Sequence, residues 1–200
     1  MKTLRHSLPL ILLCATTLVC LPTLASAQTQ IPQDSASHSE SETLYRIAEF
    51  VEWPDSAPRP GATFNFCVLG KDPFGTSLDD AVLGHPIGER QTMIVRATRM
   101  GDLIACNVLF FGSSETARLP KILPKLHDKN ILTVSESPDF AASGGIVELR
   151  RSEARISIVI NVDAAHRAGL TFRAQLLSLA KVAHESELAS RATDPGSRNF

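Results

Sequence analysis

After its first 27 residues this chain has no run of 18 apolar residues, so nothing beyond that point is long enough to cross a bilayer as a helix. It has no block of basic residues either. Twenty Lys and Arg stand against 21 Asp and Glu, spread along the chain, for a net charge of −1. That balance argues against nucleic acid and anionic membrane surfaces as partners. No two of the six histidines stand three or four residues apart, which removes local support for a zinc site. A Walker loop and a Gly-x-Gly-x-x-Gly dinucleotide fingerprint are both missing. Phe111-Gly112-Ser113-Ser114-Glu115 lacks the second glycine of a nucleophile elbow, so Ser113 and Ser114 read as helix caps. No catalytic residue, metal ligand or cofactor-binding residue stands out, and a non-enzymatic protein with no cofactor is expected.

What is present begins with the leader. Lys2 and Arg5 precede an apolar run from Leu8 to about Cys20, and Ala25-Ser26-Ala27 forms a small-x-small cleavage site. This is the grammar of a cleavable signal peptide over residues 1–27, with cleavage near Ala27-Gln28 and export from the cytoplasm. The run is short for an uncleaved membrane anchor. Losing Lys2 and Arg5 with the leader takes the net charge from −1 to about −3. Val19 before Cys20 and Leu13 before Cys14 do not suit a lipidated cysteine. Of the four cysteines only Cys67 and Cys106 then remain. In an oxidising compartment an even pair most simply forms one disulfide, the alternative being two buried free thiols. Such a bridge closes a loop of about 40 residues and contributes roughly 3–4.5 kcal/mol in the chain-entropy model.

Residues 28–41 are rich in Gln, Ser and Thr and read as a flexible leader. From Glu42 to Trp53 the apolar residues Leu44, Ile47, Ala48 and Val51 recur at helical spacing, with Ser41 placed to cap the start and Pro54 to stop the end. Pro54 to Gly61 is a rigid polar connector. Phe64–Gly70, Gln91–Thr98, Asn107–Gly112 and Ile131–Val134 read as strands, and the third, apolar on both faces, as a central one. Short helices are expected near Ser77–Val82, and over Leu119–Lys129 with a break at Pro124. Ile146–Arg150 and Arg155–Val162, joined by a polar turn, form a hairpin signal. A long amphipathic helix should follow from Ala164 to Val182, with Gly169 a candidate interruption, and residues 184–200 read as a polar tail.

The expected architecture is α/β. Residues 42–183 make a single three-layer domain, a mixed, mostly parallel Rossmann-like sheet with a C-terminal antiparallel hairpin and flanking helices. Neighbouring first and third strands would let Cys67 reach Cys106. Two features are candidates for binding a partner. Trp53, the single tryptophan, either packs the first helix on the sheet or anchors an interface. Arg150, Arg151 and Arg155 cluster around the hairpin, either as a solvated turn or as an anion- or partner-binding edge.

Several segments, in order, resemble one family. Ala48-Glu49-Phe50-Val51-Glu52-Trp53-Pro54 is similar to the opening motif of the YfiR-like bacterial periplasmic proteins. Phe66 to Gly75, Cys106 to Gly112, Ile131 to Gly145 and Ile160 to Ala165 resemble later elements of the same family. The resemblance spans about residues 43–183. It implies a periplasmic repressor of YfiN, an inner-membrane diguanylate cyclase, acting by protein–protein binding to lower cyclic di-GMP and biofilm formation. It also implies sequestration by a YfiB-like outer-membrane lipoprotein, a homodimer, and a disulfide between Cys67 and Cys106. A second cysteine pair found in some members is missing here. The alternative reading is a periplasmic small-molecule-binding sensor with its ligand at the strand ends.

Overall fold

The computed structural model describes residues 32–54, 63–102, 105–152 and 155–184, all in one unit beginning at Ile31. The expected signal peptide, most of the 54–61 connector, the middle of the hairpin turn and the tail beyond His184 lie outside the described residues.

Helix α1 covers Pro32–Glu49. Leu44, Ile47 and Ala48 bury its inner stripe, as the spacing predicts, and Val51 continues the stripe beyond the helix. The start is a correction. The helix begins ten residues before Glu42, so residues 32–41 of the expected flexible leader are helical and Ser41 lies inside the helix rather than capping it. Proline is well suited to a first helical turn, where its missing N–H leaves no bond unmade. The end differs too. Helix α1 stops at Glu49, and Val51–Glu52 form strand β1 before Pro54 is reached.

The main sheet has seven strands. Strands β2 (Phe64–Leu69), β3 (Thr92–Ala97), β4 (Val108–Phe111), β5 (Leu132–Ser135) and the start of β6 (Val147–Ser152) run parallel. Strand β7 (Arg155–Asn161) pairs antiparallel with β6, completing the expected hairpin. A two-stranded ribbon joins β1 to β8 (Thr171–Phe172), and β9 (Lys181–Ala183) adds in parallel to β7. The order across the sheet is β3-β2-β4-β5-β6-β7-β9. This is the mixed, mostly parallel α/β domain the sequence pattern implies.

Period-two alternation divides the side chains between two faces. Phe66 and Val68 of β2, Val108 and Phe110 of β4, Leu132 and Val134 of β5, and Val147 and Leu149 of β6 meet α1 and α2 (Thr76–Val82). On the other face Cys67, Leu69, Leu109 and Phe111 meet Leu119, Ile122, Leu123 and Leu126, together with Phe140. Each fully buried large apolar side chain is worth about 1.5–3 kcal/mol of transfer free energy, so these two layers supply most of the driving force. All four residues of β4 are buried, as its two-sided apolar pattern predicts. The Leu119–Lys129 segment breaks at its proline: α3 (Leu119–Ile122) gives way to a tighter turn over Leu123–Lys125.

The long C-terminal helix is the largest correction. It is replaced by α4 (Val162–Arg167), strand β8, α5 (Ala174–Leu179) and strand β9. Gly169 sits at φ +68°, and a Cβ there would meet Asn130 Nδ2 at 2.7 Å. Asn130 donates to the Ala168 carbonyl at 3.0 Å, fixing the break. Thr171–Phe172 then pair with Val51–Glu52, and Arg173 N–H donates to the Phe50 carbonyl at 2.9 Å. Strand pairing with distant residues outweighs a helical period that is only locally favourable.

Candidate cleft at the strand ends

From β2 the chain passes to β3 on one side, then to β4 on the other side of β2. Open α/β sheets hold ligands outside the carboxyl ends of their strands, where the order reverses in this way. A cleft of about 680 Å³ lies there. Phe74, Phe110 and Phe111 contribute apolar surface, and Lys71, Ser113, Thr116, Glu136, Ser137 and Arg151 contribute polar groups.

Two glycines bring the turns after β2 and β4 into contact. A Cβ on Gly112 would stand 2.1 Å from the Lys71 carbonyl oxygen, so only glycine fits that close backbone approach. Gly70, at φ +85°, lets the chain turn beside Ser114, whose Oγ accepts from Lys71 N–H at 2.9 Å. Ser113 and Ser114 are therefore not caps: Gly112 precedes the helical turn, and no side chain bonds its free N–H groups.

The Asp72–Gly75 turn is fastened from within and from β3. Asp72 Oδ1 accepts from Phe74 N–H at 2.8 Å. Arg96 donates to Asp72 Oδ2 at 2.7 Å, to Asp79 Oδ2 at 2.6 Å and to the Gly75 carbonyl at 2.8 Å. On the far wall Thr116 Oγ1 and Ser137 Oγ lie 2.8 Å apart, and Ser135 Oγ donates to the Phe111 carbonyl at 2.9 Å.

At the rim Arg151 faces two carboxylates: Glu40 of α1, with which it forms an ion pair, and Glu136 at 3.4 Å. Glu40 is only 1% exposed. Burial, then the neighbouring Glu136, pushes its carboxyl up to about 7, with Arg151 pulling the other way.

The arginines expected to act together are divided by the pleat. Arg150 donates to Glu148 at 2.6 Å, on the face opposite Arg151, and Arg155 is exposed at the start of β7. Trp53 stands at the other end of the sheet from Arg151. It meets Phe64 edge to face at 5.1 Å, and its Nε1 donates to the Ala48 carbonyl at 3.4 Å. It lines a second cleft of about 620 Å³ with Arg90 and Arg173. Trp53 therefore packs on the core and is also half-open to solvent, while Arg151 lies in the strand-end cleft. Cys67 and Cys106 are joined by a disulfide, with Cα atoms 5.9 Å apart, which ties β2 to the residues leading into β4.

Glu40, Glu136 and Arg96 were not among the residues singled out by sequence. Glu40 had one available signal: it precedes Leu44 by four positions and so falls on the buried stripe of α1. Asp72 and Asp79 meet Arg96 across separations of 24 and 17 residues, which no local pattern shows.

Taken together, these features describe a mixed α/β domain in which the charged groups at the strand ends tie loops and a helix to the sheet. Among the described residues no group of three His, Cys, Asp or Glu could hold a metal ion, and no helix is long and apolar enough to cross a membrane. Residues 37–181, well over half the chain, match the model of the YfiR/HmsC-like family, and the chain belongs to that family. No curated protein matches the chain.

Proposed function

We propose that this chain is a non-enzymatic periplasmic regulator. In this reading it represses an inner-membrane diguanylate cyclase of YfiN type by protein–protein binding, and so lowers cyclic di-GMP and biofilm formation. The observation that carries the reading is membership of the YfiR/HmsC-like family over residues 37–181. The disulfide supports it, since such bridges persist in oxidising compartments outside the cytoplasm. Sequestration by a YfiB-like outer-membrane lipoprotein and a homodimeric state belong to the same proposal. So does a contact made through Trp53 or the arginines of the hairpin, Arg150, Arg151 and Arg155. Deleting the gene and measuring cyclic di-GMP tests it. A rise, reversed by the wild-type gene, is expected; unchanged cyclic di-GMP and biofilm would overturn the reading.

A second reading, a small-molecule sensor, is favoured by one observation: the cleft of about 680 Å³ at the point where strand order reverses. A ligand there would raise the melting temperature of the purified protein, increasingly so as its free concentration exceeds its Kd. A metabolite screen with no shift would count against it.

A further inference from the structure

We propose that Glu40 and Glu136 form a proton-binding pair which, with Arg151, latches α1 to the C-terminal end of the sheet while a proton is held between them and loosens it when that proton leaves. The inference goes beyond the proposed regulatory role and does not depend on it.

Glu40 is a carboxylate in the apolar stripe of α1, four residues before Leu44 and 1% exposed. One of its oxygens faces Arg151. The other, Oε2, is buried and has no hydrogen-bond donor among the described residues. Glu136 is the other carboxyl acting on Glu40, but an ionised carboxylate only accepts. Two carboxylates can bond to each other only if one keeps a proton, and that proton supplies the donor Oε2 lacks. Charge leads to the same conclusion. Arg151 serves both Glu40 and Glu136, so one guanidinium faces two acids, and the second negative charge is uncompensated unless a proton neutralises it.

The groups acting on Glu40 come from two elements, Glu136 just after β5 and Arg151 on β6. Lys71 and Asp72 also line the cleft; Asp72 is already held by Arg96. Burial first, and Glu136 second, raise the Glu40 carboxyl to about 7 against the opposing pull of Arg151. A carboxyl raised in the closed state binds more protons there than in the open one. The latch is therefore complete at low pH and lost as the pH rises through about 7. From one unit below that value to one unit above, the closed-to-open ratio falls about tenfold.

The change is local. Leu44, Ile47 and Ala48 anchor the later turns of α1 in the core at any pH. Only the turn carrying Glu40 depends on the proton. Because Glu136 and Arg151 also line the strand-end cleft, loosening reaches the cleft wall as well.

The test follows the carboxyl carbons of the mature protein, labelled at glutamate, by NMR from about pH 5 to about pH 9. One glutamate should titrate near 7 and vanish in Glu40→Gln. In Glu136→Gln its midpoint should move down, because the repelling neighbour has become a donor. Amide exchange around Glu40, corrected for the intrinsic pH dependence, should quicken about tenfold between about pH 6 and about pH 8. If Glu40→Gln does not fold, the wild-type titration and Glu136→Gln still decide. Every glutamate titrating in the usual carboxylate range would overturn the proposal. So would an unmoved midpoint in Glu136→Gln, or an α1 whose protection ignores pH.

Discussion

Two clusters at the same end of the sheet have the same formula, one arginine between two acids, and behave differently. Arg96 sits between Asp72 and Asp79, whose side chains are 19% and 34% exposed. Four of its N–H groups find acceptors on that turn and helix, and both acids also reach water. Arg151 sits between Glu136, 31% exposed, and Glu40, which is 1% exposed. Here one carboxylate oxygen finds no donor among the described residues. Counting ion pairs would call the clusters equal. Solvent access separates them: water completes the coordination of the first pair, and a proton must complete that of the second.

The comparison can be broken in several places, and the largest effect comes from the scaffold both clusters share. Strand β2 carries Cys67 and leads directly to Asp72, and the bridge to Cys106 ties it to β4. Replacing both cysteines by alanine should cost about 3–4.5 kcal/mol in urea unfolding, at every pH alike. A loss under about 1 kcal/mol would show that the sheet does not need the bridge. Next comes the arginine itself. Arg151→Met strands a buried carboxylate and should cost about 3 kcal/mol at alkaline pH, with much of that recovered once Glu40 is protonated. Arg96→Met leaves acids that water can still solvate and should cost nearer 1 kcal/mol, with little pH dependence between about pH 6 and about pH 8. Equal costs for the two would erase the distinction. A packing test is Gly112→Ala. Its Cβ would meet the Lys71 carbonyl at 2.1 Å, pushing the turn that carries Asp72 and costing about 1–3 kcal/mol. Strand β5, which leads to Glu136, should be untouched, so the Glu40 titration should survive where the Arg96 cluster is disturbed.

The strands were legible in the sequence because buried parallel strands announce themselves as short apolar runs, and β4 did so at every position. Gly70 and Gly112 stood only as the last residues of two expected strands. Their purpose, letting two backbone turns touch, appears only when β2 and β4 lie side by side. The start of α1 was hidden because residues 32–41 are polar in composition and their helix depends on continuity with the anchored turns that follow. The C-terminal segment misled for the opposite reason. Its helical period is real, but Gly169 and the pairing of β8 with β1 break it. The candidate site shows the same division. Arg151 was singled out as one of a cluster of like charges, and its role is set by two acids that neither spacing nor composition brings to it.

The most direct test of the difference between the clusters is the melting temperature of wild type and Glu40→Gln at about pH 6 and about pH 8. Glu40 holds more protons folded than unfolded, so wild-type stability should fall across this interval, by about 1.4 kcal/mol for a tenfold change. Glu40→Gln should be nearly flat and overtake the wild type at the alkaline end. If the two proteins lose stability in parallel, Glu40 carries no special proton, and the Arg151 cluster is no different from that of Arg96.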